Sequence, residues 1–163
     1  VAETIAVRST LNVSRQIFYV AIGGFDTHDS QSGALPGLHT QISESVVAFK
    51  AAMVELGLWD DVTVFTATDF GRTLYDNGDG TDHGWGSHHF VVGGAVKGGD
   101  IYGDIPVSQL GHSQDAGNGR LIPSASVEQF AAPLGSWFGL NQQELNTALP
   151  ALANFPAGGL SFL

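Results

Sequence analysis

The sequence predicts an α/β fold, a mostly parallel sheet flanked by helices, and three observations predict it. Residues 17–22 (I-F-Y-V-A-I) form an unbroken β-branched and aromatic run, the composition of a strand buried on both faces. Leu38, Ile42, Val46, Phe49, Met53 and Leu56 recur at spacings of three and four, which draws one apolar stripe along a helix. Residues 62–68 form a second apolar run. Strand, helix and strand in this order and length make a βαβ unit, whose strands lie parallel with a right-handed crossover.

Bulk properties narrow the function. The 163 residues suit one domain or a part of one, and 43% apolar residues are enough for a real core. Six Lys and Arg stand against sixteen Asp and Glu, a formal charge of −10. Nucleic acids and anionic membranes bind clustered basic residues, so neither is an expected partner. The chain has no cysteine, which excludes disulfides and thiolate metal sites. No apolar run approaches the ~18 residues of a membrane span. The chain opens mid-pattern at Val1 without a signal peptide or initiator Met, as the remainder of a longer polypeptide would.

Taken in order, residues 1–11 read as the tail of a helix. The strand over 17–22 is broken by Gly23-Gly24, and Asp26 and His28 follow in a loop beyond its carboxyl end. Residues 33–37, with Pro36, read as a turn-like linker into the helix over 38–56, and Gly57 supplies a C-terminal stop. The strand over 62–68 ends at Asp69. A long loop then reaches a further strand at 90–92, and the glycine-rich stretch to about Arg120 reads as loop. Ser126 with Gln129, and Asn141 with Glu144, are capping-box signals for two more helices. Pro133 lies inside the first of these and is expected to kink or shorten it.

The chemistry concentrates beyond strand ends, where open α/β sheets bind ligands. Asp26, His28, Asp69, Asp82 and His83 offer carboxylate and imidazole there. Carboxylate with imidazole suits zinc, manganese and iron, whereas carboxylate alone suits magnesium and calcium. A pair of such ions can clamp the attacking and leaving oxygens of phosphoryl or sulfuryl transfer. Arg72, just after Asp69, carries a guanidinium fork that matches phosphate or sulfate, with a salt bridge to one of the many aspartates as the competing reading. Residues 76–80 (D-N-G-D-G) resemble the start of a calcium loop, but the closing Glu is lacking and a plain turn is expected. His88 and His89 are neighbours and point to opposite faces of a strand. Neither a G-x-x-x-x-G-K-[ST] phosphate cradle nor a G-x-S-x-G elbow is present.

An ordered set of motifs covers almost the whole chain: G-G-F-D-T-H at 23–28, T-D-F-G-R-T at 68–73, G-T-D-H-G-W-G at 80–86, F-V-V-G-G at 90–94, G-R-L-I-P at 119–123 and W-F-G at 137–139. On these residues the chain resembles the C-terminal half of the domain of unknown function 1501 family, sulfatase-like proteins of the alkaline phosphatase superfamily. The resemblance implies residues 1–163 as the C-terminal portion of one alkaline phosphatase-like α/β domain, incomplete here. It implies a periplasmic or secreted bacterial protein. It carries Asp26, His28, Asp69 and His83 over as metal ligands, with Phe70 standing where the superfamily usually has a second-site His. The nucleophile of that superfamily comes from the N-terminal half, so the missing N-terminal part of the same protein becomes the expected partner.

The function expected from residues and resemblance together is metal-dependent hydrolysis of phosphate or sulfate esters. A divalent ion (zinc, manganese, magnesium or calcium) would sit on Asp26, His28, Asp69 and His83, and Arg72 would contact a small anionic ester. The alternative, favoured by Phe70, is a non-catalytic sulfatase-like binding or scaffold protein. A calcium-stabilised interaction module, resting on 76–80, is the third reading.

Overall fold

The computed structural model describes residues 1–155 and 158–163. Helices outweigh strands in it. A short helix α1 (Ala2–Ala6) leads through an irregular stretch to the long helix α2 (Gln31–Glu55). Strands β1 (Thr63–Phe65), β2 (Gly71–Asp76), β3 (Thr81–Gly84) and β4 (Val91–Gly93) follow. Helices α3 (Val127–Phe138) and α4 (Gln142–Ala148) close the chain.

The parallel sheet flanked by helices is not formed. The described strands make two separate two-stranded sheets, and both are antiparallel. In one, Thr63, Val64 and Phe65 of β1 face Gly93, Val92 and Val91 of β4. The other is a hairpin, with Gly71 opposite Gly84 and Arg72 opposite His83. Residues 17–22 are extended but form no strand, and among the described residues they make no backbone hydrogen bond. A strand is completed by the N–H and C=O groups of a neighbour, and an apolar run supplies only its own half. No βαβ unit therefore exists here, and residues 17–22 lie open, with Ile17 79% and Tyr19 91% exposed.

The β2–β3 hairpin occupies a stretch whose Gly and Asp content reads as loop. Its turn explains it. Asp76 Oδ1 accepts from Gly78 N, and Asn77 Oδ1 accepts from the N–H groups of Asp79 and Gly80. Asn-Gly and Asp-Gly pairs between extended residues are hairpin signals. These bonds also engage the side-chain oxygens of Asp76 and Asn77 in Asx-type turns, the plain-turn reading of 76–80.

Helix α2 begins seven residues before the apolar stripe, because the hairpin caps it. Gln31 N donates to Asp79 O, and Gln31 Nε2 donates to Thr81 Oγ1. Pro36 lies inside the helix. It removes the bond to the carbonyl of Ser32, which is exposed and can turn to water. The stripe is the helix's least exposed face: Leu38, Ile42, Val46 and Phe49 are half-buried and Met53 is fully buried, while Leu56 at its end is exposed. Met53 packs with Ile5 and Leu58, bordered by Phe49, Trp59 and Val62. Burying a side chain of this size is worth about 1.5–3 kcal/mol. Gly57, at φ +67°, takes the left-handed conformation that ends the helix.

Both capping boxes form. Ser126 Oγ accepts from Gln129 N while Gln129 Oε1 accepts from Ser126 N, and Asn141 with Glu144 repeats the exchange. Helix α3 runs through Pro133 and lays Phe130 edge-on against Phe65 of β1 at 6.2 Å. The C-terminal tail packs on the same side, with Leu160 N donating to Gln129 O and Lys97 N to Phe162 O. No described helix is long and apolar enough to cross a membrane.

Candidate metal centre

Two segments far apart in sequence meet along β3, beside the turn of the β2–β3 hairpin. The first is the loop 25–28. Its Thr27 is buried, and Thr27 O accepts from Thr81 N. His28 O accepts from Asn77 Nδ2. Gly80 makes this approach possible, since a Cβ there would fall 2.5 Å from Thr27 O. The second segment is β3, which carries Asp82 and His83. Arg72, the cross-strand partner of His83, ties the two together: Nη2 donates to Phe25 O at 2.8 Å and Asp26 Oδ1 at 2.7 Å, and Nη1 donates to Thr81 O at 2.7 Å.

These ties bring Asp26, His28 and His83 into one group that could hold a metal ion. Asp26 Oδ1 lies 3.0 Å from His28 Nε2 and 2.9 Å from His83 Nε2, and the two Nε2 atoms are 3.2 Å apart. An ion bound at 2.0–2.1 Å has ligand atoms about 3.0–3.4 Å from each other in octahedral or tetrahedral geometry. The observed triangle matches one face of such a polyhedron. The three side chains are about half exposed, at 57%, 48% and 46%, which leaves the opposite face open to water or a ligand.

The surroundings prepare the donors. Asp82 Oδ1 is 3.3 Å from His28 Nδ1. A carboxylate accepts, so Nδ1 carries the hydrogen and the Nε2 lone pair turns to the triangle. His83 stacks flat on Phe70, with ring centroids 3.7 Å apart and planes at 9°. The Asp26 carboxyl is held below its ordinary pKa, chiefly by the His83 hydrogen bond and then by that of Arg72, so it stays an anion.

The other residues with candidate chemistry do not join the donor triangle. Asp69 is exposed and contributes no atom to the group; its neighbour Phe70 reaches the site instead. Arg72 is turned inward, with its side chain 19% exposed. His89 faces Thr66 and the Phe130 ring, at 5.6 Å, and burial lowers its pKa. His112 accepts from Gln114 N within its own loop. His39 is exposed on α2 beside Phe25, and Trp85 is exposed beyond the end of β3. Two residues singled out in the sequence take roles not read there: the Phe70 ring stacks on His83, and Asp82 is the partner of His28 rather than a ligand. Their clue is the hairpin, because pairing Arg72 with His83 brings Phe70 beside β3.

No curated protein and no solved structure matches this chain. The model of one family, described as a protein of unknown function, DUF1501, matches residues 1–149. That match spans nearly all of the sequence and every residue of the donor triangle, and the chain belongs to the DUF1501 family.

Proposed function

We propose that Asp26, His28 and His83 hold one divalent transition ion, and that the protein is a metal-dependent hydrolase of phosphate or sulfate esters. The observation that carries the first part is the triangle itself. With Nδ1 of His28 protonated toward Asp82, two imidazole nitrogens and a carboxylate oxygen converge within 3.2 Å. Such converging lone pairs repel unless a proton or a cation lies among them. Two imidazoles with one carboxylate favour zinc, iron(II) or manganese over magnesium and calcium, which prefer oxygen donors.

The ion would supply Lewis acidity toward an ester oxygen. The chain's own residues do the rest. Asp26 binds as an anion and offsets part of the ion's charge. Asp82 keeps His28 in the binding tautomer. Phe70 covers one side of His83 and keeps water from that face. The half-exposed rim admits a small anionic ester. The nucleophile comes from the N-terminal part of the same protein, which is the partner this reading requires. The resemblance to sulfatase-like proteins of the alkaline phosphatase superfamily, as the C-terminal portion of one domain, supports this arrangement, and it supports a periplasmic or secreted location.

Metal titration tests the centre. The chain should bind one equivalent of zinc, and His28→Ala and His83→Ala should each weaken that binding at least a hundredfold. Retention of wild-type zinc affinity by either variant would remove the centre. Release of nitrophenol from aryl phosphate or aryl sulfate, by this chain combined with the N-terminal part, tests the reaction. A second reading, a non-catalytic binding or scaffold protein, is favoured by Phe70, whose ring takes up space beside His83 that a further ligand would need. Tight zinc binding without ester hydrolysis would select it.

A further inference from the structure

Arg72 makes in this site the salt bridge to an aspartate that is the competing reading of its sequence context, at 2.7 Å to Asp26 Oδ1. A substrate-binding arginine presents its fork outward to an anion. Here both hydrogens of Nη2 are engaged, one by Phe25 O and one by Asp26 Oδ1. Nη1 donates to Thr81 O. Nε is buried without a partner among the described residues. The Phe70 ring lies 5.2 Å from the guanidinium carbon, with the same ring stacked on His83. No pair of parallel N–H groups is left to face a phosphate or sulfate.

What the fork does instead is join the two halves of the donor set. Phe25 and Asp26 belong to the loop 25–28. Thr81 stands two residues before His83 on β3, and Arg72 itself sits opposite His83 in the hairpin. Three short bonds from one planar group therefore set the distance between Asp26 and His83. We infer that Arg72 is the positioning residue of the metal centre: it locks Asp26 to the His83 hairpin and so assembles the triangle before any ion arrives. This rests on the metal reading of Asp26, His28 and His83 and goes beyond it, because it assigns Arg72 to the ligands rather than to the substrate.

A lysine keeps the charge but is a point donor on a flexible stem and cannot span three acceptors in a plane. Removing an outer partner of a metal ligand lowers ion affinity about 10- to 100-fold. The experiment is zinc titration of the chain and of Arg72→Lys against a chromogenic chelator, with cobalt(II) absorption as a readout of ligand geometry. Arg72→Lys should bind zinc about 10- to 100-fold more weakly, with altered cobalt bands and an unchanged circular dichroism spectrum. Wild-type affinity and bands in Arg72→Lys would overturn the inference. Absence of zinc binding by the unmutated chain would instead overturn the metal reading beneath it.

If Arg72→Lys does not fold, the unmutated chain decides the matter. It has four arginines, so guanidinium signals are resolvable by nuclear magnetic resonance. The Arg72 Nη hydrogens should give separate, slowly exchanging signals without metal, and these should not move when inorganic phosphate is added to the zinc-loaded chain. Averaged signals, or a shift that appears only with phosphate, would overturn the assignment and return Arg72 to the substrate.

Discussion

Asp115 is, among the described residues, the most heavily bonded carboxylate outside the metal centre. Its Oδ2 accepts from Gly111 N, and its Oδ1 accepts from Gly117 N and Gly119 N, each at 2.8 Å. The bond from Gly111 leads in holding its pKa below the ordinary 3.8. A lowered folded pKa means that the stabilisation is fully present above the unfolded value and is lost as pH falls through the folded one. The loop that Asp115 organises touches the site hairpin, because Gly119 O accepts from Leu74 N and Leu121 O from Gly86 N. Amide exchange at Gly117 and Gly119 should stay slow down to about pH 3.8 and quicken only below it. In Asp115→Asn the exchange should be faster at neutral pH and lose that acid step. Equal protection in both proteins would show that other contacts hold the loop.

At the scale of elements, what was legible in the sequence is what a segment decides for itself. The Ser126–Gln129 and Asn141–Glu144 boxes are spacings of three residues, and both form as read. The stripe from Leu38 to Met53 is the least exposed face of α2, as its period requires. Losing the Ser126 cap should cost about 1 kcal/mol and lower the unfolding midpoint by about 2–4 °C in a chain of this size. Thermal unfolding of Ser126→Ala measures this, and an unchanged midpoint would mean that the packing of Phe130 and the tail bonded to Gln129 hold α3 without the cap. The start of α2 was not legible, because its cap comes from Asp79 and Thr81, some fifty residues on. Nor was the hairpin, whose strands mix Thr73, Tyr75 and Thr81 with Gly, Asp and His and whose pairing is set by the Asn77 turn.

Over the whole molecule, the exposed segment 17–22 has the largest consequence. Ile17, Tyr19 and Val20 stand 79%, 91% and 69% exposed on backbone without hydrogen-bond partners among the described residues. Open apolar extended segments of this kind, with unpaired backbone groups as at a sheet edge, pair with other chains. The charge of −10 opposes such association, and salt screens that repulsion. Light scattering by the chain alone should therefore rise with salt, and Val20→Lys should suppress the rise. Scattering unchanged by Val20→Lys would locate the sticky surface elsewhere.

The sequence by itself determined the caps of α3 and α4, the apolar face of α2 and the presence of carboxylate and imidazole at 26–28 and 82–83. Each depends on residues within a turn or two of one another. Only the tertiary structure decided that the strands pair antiparallel, that Phe70 rather than Asp69 enters the site, and that Arg72 points inward. Those outcomes depend on acceptors and partners supplied from distant segments. A strand's edge, a ligand triangle and a guanidinium fork are each completed by atoms that their own stretch of chain does not contain.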